Sequence, residues 1–312
     1  MATYSDISLE EIEVLLGDYD LGDVLAAAPL KGGQANSSFQ LRTSRGRFVL
    51  SICDEKSMAE VRGLASVLDQ LARHQFPTTR VVAARSGART TTFRGKPVLI
   101  KAFIGGSVPE ILTTGMVAQI GRQIARLHAI PAPEGVPTHF AYGTDRFDEV
   151  IASSADPAYR RWLADKKAYL EQAERSDLPR ALIHGDLFHD NTLFEGERLT
   201  AILDFEEACR FLRVFDLGMC AVGVCAENGL IVMDKVRALV AGYAAHGVLT
   251  DSERERLQAF IVYGATATSF WRFRQYNLIL PGHPEAARYR EMNHIANQVQ
   301  AISSDTFQRA VF

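Results

Sequence analysis

The sequence has few cysteines, no long apolar run and no excess of either charge, and each shortage excludes a class of protein. Within its 312 residues no segment approaches the roughly 20 uninterrupted apolar residues that a membrane-spanning helix needs. The N-terminal segment MATYSDISLEEIEVLL is acidic and amphipathic, unlike a secretory signal peptide. We therefore expect a cytoplasmic protein without a membrane partner.

The cysteines and the charge balance exclude two further classes. The four cysteines have neither the spacing of a metal site nor the density of a disulfide framework. We interpret them as reduced packing residues: Cys53, Cys209, Cys220 and Cys225. The 34 Lys and Arg residues nearly balance the 37 Asp and Glu residues, for a net charge of -3. Because this balance gives no basic footprint, we expect no nucleic-acid partner.

The length favours two units, since it exceeds what one hydrophobic core usually supports. Up to residue 103 the pattern is rich in short strands, with a polar turn at Thr43–Gly46 and one helix over about Ala59–His74. The pair Gly105–Gly106 then makes a break, and the chain beyond it is mostly helical. We predict two domains, residues 1–103 and 104–312.

The stretch LIHGDLFHDNTLFEGERLTAILDFEEA, residues 182–208, places acids and amides between apolar runs. Burying an unpaired carboxylate is costly, so such groups are normally paired, metal-bound or catalytic. A hairpin with its turn at Glu195–Arg198 would bring Asn191 and Asp204 side by side, where their oxygens suit Mg²⁺. Asp186 would then be available to orient a hydroxyl, which completes the set of groups that phosphoryl transfer needs. The alternative, a polar hairpin with solvated acids, conflicts with the flanking apolar runs.

A second feature is the glycine and small-residue stretch KGGQANSSF, residues 31–39, between two predicted strands. Backbone amides in such a loop can approach phosphate groups closely, although an ordinary hairpin turn has the same composition. The order of strand loop, helix, break, helical half and acidic cluster is that of a two-lobed kinase. We therefore predict an α+β, protein-kinase-like fold with a small β-rich lobe, a larger helical lobe and ATP between them.

The motifs resemble those of the aminoglycoside phosphotransferase and choline kinase superfamily. HGDLFHDN is similar to its catalytic loop, ILDFEEA to its metal-binding strand end, and GRQIARLHAI to the helix that precedes the loop. Over nearly its full length the chain resembles the bacterial homoserine kinase branch, including YSDISLEEIEVLLGDYDLGDVL, GGQANSSFQL and SFWRFRQYN. The resemblance implies a kinase that uses ATP and Mg²⁺ to phosphorylate a small hydroxyl metabolite, first of all homoserine in threonine biosynthesis.

The resemblance also implies roles for residues of the catalytic loop. Asp186 would be the catalytic base that accepts the proton of the acceptor hydroxyl, and Asn191 with Asp204 would hold Mg²⁺. His184 would have a structural role, packed beneath the loop. Asp216 would buttress the loop, although a helix N-cap is an equally good interpretation of this residue.

One position departs from the kinase pattern. Kinase-like folds carry a basic residue on the third strand, paired with a helix Glu, that holds nucleotide phosphates. Ser51 occupies this position in RFVLSICDEK, and the homoserine kinase branch also tends to have a small hydroxyl residue there. Lys56 is a candidate substitute, unless it is an ordinary loop lysine, and Glu60 would be the helix partner if such a pair exists. The resemblance implies these nucleotide-binding residues: Gly32, Gly33, Asn36, Ser37, Ser38, Val49, Ser51, Lys101 and Phe103. Lys101 and Phe103 are included by their position in the expected base-binding hinge.

The acceptor site is predicted from charge, because homoserine is a zwitterion that needs a cation for its carboxylate and an acid for its ammonium. Arg272 and Arg274 lie two apart on a predicted helix, so only one of them should face the site. Alternatively both arginines are solvated and the neighbouring aromatics pack in the core. Two glutamates follow Asp204, close to where an acceptor would lie. The acceptor candidates are His189, Glu206, Glu207, Trp271, Arg272, Arg274 and Tyr276.

Two other functions fit the same residues. One is a kinase of another amino alcohol, a sugar or an aminoglycoside, although a cleft for a polycationic antibiotic should be lined with many acids. The other is a nucleotide-binding pseudokinase, which the missing strand lysine favours. The retention of Asp186, Asn191 and Asp204 opposes the pseudokinase. A monomer and a homodimer are both compatible with the sequence.

Overall fold

The computed structural model describes residues 6–30, 36–153, 156–174 and 176–312, which divide into two compact units. The first unit comprises the described residues up to Gly106 together with Pro133–Gly135 and Thr200–Leu203, and the second comprises the remainder. No helix within these ranges has the length and apolar character required to span a membrane.

The first unit is built on a five-stranded antiparallel sheet. Its elements are α1 (Leu9–Leu16), β1 (Val24–Pro29), β2 (Asn36–Thr43), β3 (Gly46–Cys53), α2 (Met58–Arg73), β4 (Thr91–Phe93) and β5 (Lys96–Ala102). The strand order is β1-β2-β3-β5-β4. The predicted turn at Thr43–Gly46 joins β2 to β3, and α2 agrees with the predicted helix to within one residue. Both predictions are confirmed.

One face of this sheet carries the hydrophobic core of the unit. Leu50 and Ile100 face each other across β3 and β5, are fully buried, and cluster with Ile12 of α1. Successive side chains of a strand point to opposite faces. The residues between these core positions, among them Ser51 and Lys101, therefore lie on the other face.

The second unit is mainly helical, with short two-stranded ladders between its helices. Its elements are α3 (Thr114–His128), α4 (Asp148–Ile151), α5 (Pro157–Ala173), β6 (Arg180–Ile183), β7 (Thr192–Glu195), β8 (Arg198–Ile202, of which the last three residues belong to the first unit), β9 (Cys209–Leu212), α6 (Arg213–Cys225), β10 (Ala226–Glu227), β11 (Leu230–Ile231), α7 (Met233–Ala244), α8 (Asp251–Phe273), α9 (Tyr289–Ala301) and α10 (Ser304–Val311). A π-helical segment, Arg274–Ile279, continues from α8.

Helix α6 forms the centre of this unit. Every residue from Val214 to Cys225 is buried, as expected for a helix that is apolar on all sides. It packs against α8, and α3 packs against α7. The four cysteines are all buried and none of them forms a disulfide, in agreement with the sequence prediction. The central helix brings its one carboxylate, Asp216, beneath the loop that follows β6.

Candidate active site

The loop between β6 and β7 is fixed by the buried carboxylate of Asp216. One of its oxygens accepts hydrogen bonds from the backbone N–H of His184 and from Nε2 of His128, both at 3.0 Å, and the other accepts from the N–H of Gly185 at 2.8 Å. Burial opposes ionisation, yet these hydrogen bonds and the charges of the two histidines hold the pKa of Asp216 below its usual value. Asp216 lies inside α6, whose N-cap is Leu212, so the N-cap interpretation was wrong.

His184 links this anchor to the next acid of the loop. Its ring is fully buried and packs against Phe205 with 4.6 Å between ring centroids. Its Nδ1 accepts a hydrogen bond from the backbone N–H of Asp186 at 3.2 Å. The backbone on both sides of Gly185 is therefore held by buried groups, and Asp186 is positioned rather than left on a loose loop.

Two glycines allow other backbone segments to approach the loop. Gly185 has φ +82°, and a Cβ there would lie 2.8 Å from the carbonyl oxygen of Glu207. Gly223 of α6 faces the loop, where a Cβ would come within 2.1 Å of the carbonyl oxygen of Leu187. A side chain at either position would displace the loop, because no Cβ fits at these distances.

Asp186 lies in a strongly perturbed electrostatic environment. Burial raises its pKa to about 7, and the neighbouring carboxylates of Asp204, Glu207 and Asp190 contribute in the same direction. The guanidinium of Arg272 acts in the opposite direction. A carboxyl with this combination of desolvation and charged neighbours is typical of a functional site.

Asn191 and Asp204 present oxygen atoms on either side of the predicted hairpin, which the structure contains as β7 and β8. The amide nitrogen of Asn191 donates to the carbonyl oxygen of Asp186 at 3.0 Å, which directs its Oδ1 away from that bond. Asp204 is exposed and has φ +63°, a conformation that is unusual for a residue other than glycine.

These two residues can supply only part of a metal site. In the part of the chain that the structure describes, no group of three or more His, Cys, Asp and Glu side chains could hold a metal ion. An amide oxygen and a carboxylate nevertheless fit Mg²⁺, because this ion takes few protein ligands and completes its shell with water and substrate phosphates.

The two predicted arginines of the acceptor site point in different directions, as the helix geometry required. Arg272 is 7% exposed. Among the described residues, it donates hydrogen bonds to the Glu291 carboxylate at 2.9 Å and to the carbonyl oxygen of Arg288. Both bonds use the same guanidinium nitrogen, Nη1. Arg274 is partly exposed and pairs with Glu149 at 3.0 Å. The charge of Arg272 acts on Asp186 and lowers its pKa.

The remaining acceptor candidates differ in their surroundings. His189 is exposed at the start of a 3₁₀ turn, and Glu206 and Glu207 are half-buried. Trp271 is half-buried, whereas Tyr276 is 2% exposed and stacks on His283, in a packing position.

Tyr142 is a residue of this site that the sequence does not identify. Its ring lies edge-on to Trp271, with centroids 6.5 Å apart, and burial together with the carboxylates of Glu207 and Asp186 raises its pKa. It belongs to the loop after α3, far from Asp186 in the chain and outside any periodic pattern. No local signal in the sequence could have found it.

The predicted nucleotide residues of the first unit divide between the two faces of the sheet. Gly32 and Gly33 lie outside the described residues. Ser38 and Ser51 face each other across β2 and β3, and their hydroxyl oxygens are 3.1 Å apart. Ser37 is aligned with core residue Ile52 instead. The structure thus separates Ser37 from the face that carries Ser38 and Ser51.

The other residues predicted in this unit differ in their contacts. Asn36 and Val49 lie on the same face as Ser38 and Ser51, and Phe103 stacks under the guanidinium of Arg47 at 4.5 Å. The carboxylate of Glu60 accepts hydrogen bonds from the backbone N–H and the hydroxyl of Ser57, at 2.8 and 2.6 Å. Glu60 therefore closes the capping box of α2.

The fold and the loop geometry together define a kinase-like phosphotransferase. The model of the phosphotransferase enzyme family matches residues 26–260, which is more than half of the chain. A homoserine kinase of Gluconacetobacter diazotrophicus is 31% identical over 289 residues, covering 89% of each chain. The chain belongs to this phosphotransferase family, and it is a small-molecule kinase.

Solved structures support the same fold. A microcompartment-associated aminopropanol kinase superimposes with a TM-score of 0.74 at 18% identity, covering 94% of this chain and 98% of the other. The amicoumacin kinase hAmiN, in complex with AMP-PNP, Ca²⁺ and Ami, gives a TM-score of 0.72 at 14% identity, covering 95% and 96%. At these identities the likeness extends to the fold alone. The predicted α+β, two-lobed kinase-like fold is confirmed.

Proposed function

We propose that the protein transfers the γ-phosphoryl group of ATP to the hydroxyl of L-homoserine, giving O-phosphohomoserine for threonine biosynthesis in the cytoplasm. The observation that carries this proposal is the pair of opposite charges beside Asp186. The Glu207 carboxylate and the Arg272 guanidinium both act on this one carboxyl group. A small zwitterion with a hydroxyl group matches that arrangement.

Asp186 is the catalytic base of the proposed reaction. The acceptor oxygen attacks the γ-phosphorus, the bond to the β,γ-bridging oxygen breaks, and ADP leaves. The proton of the acceptor hydroxyl passes to the Asp186 carboxylate. Because Asp216 and His184 hold the backbone around this residue, the carboxylate is oriented before the substrate binds.

Asn191 and Asp204 are the residues that would hold Mg²⁺, through the amide oxygen and a carboxylate oxygen. When bound, the ion neutralises the charge of the nucleotide phosphates. The use of ATP is supported by kinase-like structural neighbours, since the amicoumacin kinase structure contains an ATP analogue. Ser38, Val49 and Lys101 on one face of the first unit are candidates for nucleotide contact.

The acceptor contacts follow from chemistry and position. Arg272 uses only Nη1 for the described partners Glu291 and Arg288, so a fork of donors is left for a substrate carboxylate. Glu207 suits the ammonium group. An amino alcohol such as ethanolamine has no carboxylate to accept from the donors of Arg272 that Glu291 and Arg288 leave unused. Sequence relatives named homoserine kinase, at about 31% identity, support the same acceptor.

The proposal is tested by comparing Asp186→Asn with Asp190→Asn, a matched change at an exposed acid of the same loop. Steady-state ADP release with homoserine, ATP and Mg²⁺ is the assay. We expect Asp186→Asn to remove nearly all turnover while the protein remains folded, because the amide cannot accept the proton. The Asp190 variant should retain most of the turnover. Comparable activity in Asp186→Asn and the parent protein would refute the assigned role.

A further inference from the structure

Lys101 lies on the nucleotide face of the first unit, next to the position where the strand cation is missing. It is opposite Val49 on β3, and Ser51 is opposite Leu99, two residue pairs along the ladder and on the same face. Residues that face each other across an antiparallel pair share a face, and diagonal neighbours are roughly 7–8 Å apart. The long stem of a lysine spans much of that distance.

The flanks of Lys101 are apolar. Val49 lies on one side, and Val81 pairs with Lys101 on the other side through an isolated bridge. Val81 is 8% exposed and Lys101 is half-buried. Among the described residues, no Asp or Glu carboxylate lies within ion-pair distance of the Lys101 ammonium. The Lys101 ammonium is therefore a cation that no described carboxylate neutralises, and an anionic ligand can pair with it.

Two other cations of this unit are already engaged. Lys96 pairs with Asp54 at 2.6 Å, and that carboxylate also accepts from the backbone and the hydroxyl of Ser37. Arg47 stacks on the ring of Phe103. To bind an anion, Lys96 would have to give up its ion pair with Asp54, and Arg47 would have to move off the ring of Phe103.

We propose that Lys101 binds a phosphate group of the nucleotide and so replaces, from β5, the cation that Ser51 does not supply on β3. The inference rests on the proposed use of ATP and assigns one contact within it. Ser51 cannot carry this role, since the residue is neutral and 1% exposed and its hydroxyl is hydrogen-bonded to that of Ser38. The ligand is the di- or triphosphate of a nucleotide rather than the base.

The test is calorimetric titration of the full chain with ATP, ADP and adenosine. Lys101→Met retains the apolar stem and removes the charge, Lys101→Gln is a second neutral variant, and Lys101→Arg retains the charge. Lys56→Met examines the other lysine considered from the sequence. Thermal melting verifies that each variant is folded.

We expect both neutral variants to weaken ATP and ADP binding by roughly 10- to 100-fold, the range for losing one charge-assisted hydrogen bond. Adenosine affinity should change less than about twofold, and the Arg and Lys56 variants should bind ATP like the parent protein. Unchanged ATP affinity in both neutral variants, or an equal loss for adenosine and ATP, overturns the assignment of Lys101. A parent protein that binds no ATP overturns the proposed function itself.

Discussion

Replacing Asp216 by Asn is predicted to destabilise the second unit and to lower turnover through the loop that carries Asp186. The carboxylate accepts three hydrogen bonds: the Gly185 N–H on one oxygen, and the His184 N–H and His128 Nε2 on the other. An amide keeps the shape but has only one accepting atom. In the orientation that loses fewer bonds, the amide oxygen accepts from the His184 N–H and from His128 Nε2. The NH₂ group then faces the Gly185 N–H and cannot accept from it.

The magnitude follows from that geometry. The Gly185 N–H becomes a buried donor without a partner, which costs about 1–3 kcal/mol. The two remaining bonds lose their charge assistance, for a further ~1–2 kcal/mol together. We expect the free energy of unfolding to fall by about 2–5 kcal/mol. Turnover should fall as well, because the backbone of Asp186 is anchored through His184.

The assay uses the two tryptophans, Trp162 and Trp271, which both belong to the second unit and report its unfolding in urea. The matched control is Asp234→Asn, which removes an exposed carboxylate paired with Arg237 and should change stability by less than about 0.5 kcal/mol. A loss below about 1 kcal/mol in Asp216→Asn, with parental turnover, would show that Asp216 does not anchor the loop that carries Asp186.

The same variant has a pH signature. Because the pKa of Asp216 is lower in the folded than in the unfolded chain, its stabilising contribution is complete above an unfolded pKa of about 3.9. The contribution is lost as the pH falls through the lower folded pKa. The stability difference between parent and variant should therefore shrink below about pH 4. A difference that stays constant at acid pH would contradict this linkage.

Three other predictions concern single contacts. Gly185→Ala should lower the stability of the protein and reduce its turnover rate at least several-fold, because the new Cβ would meet the carbonyl oxygen of Glu207. Steady-state kinetics that match the parent protein would contradict this prediction. Glu253→Gln should cost about 2–4 kcal/mol in urea unfolding, because fully buried Glu253 makes two bonds to Arg213 at 2.6 and 2.7 Å. Arg272→Met should raise the KM for homoserine more than tenfold with little change for ATP, and an equal rise for both substrates would exclude a carboxylate contact.

The sequence was informative where a pattern is local. Two strand-like runs joined by a polar turn predicted β2, β3 and the turn at Thr43–Gly46 between them, and helical periodicity predicted α2. The hairpin of β7 and β8 was also predicted, because turn residues Glu195–Arg198 separate two apolar runs. In each case the residues that determine the structure are adjacent in the chain, so spacing alone carries the information.

The parts that could not be predicted depend on contacts between distant segments. Tyr142 and Arg272 reach the neighbourhood of Asp186 only through packing of helices around α6, which no spacing encodes. The capping role of Glu60 was not predicted, because a capping box and an ion pair both place a glutamate near the start of a helix. The N-cap interpretation of Asp216 failed because α6 begins one turn earlier than its sequence suggests.

The most direct test of the account is ADP release by the pure protein with Mg²⁺ and ATP against a panel of acceptors. The panel contains L-homoserine, L-serine, L-threonine, choline, ethanolamine, methylthioribose and kanamycin. If homoserine is the acceptor, the protein turns over homoserine and has little activity with the other six compounds. Preferred turnover of another acceptor would retain the kinase chemistry and contradict the acceptor assignment. No turnover with any acceptor, although ATP binds, would contradict the catalytic role of Asp186 and favour a pseudokinase.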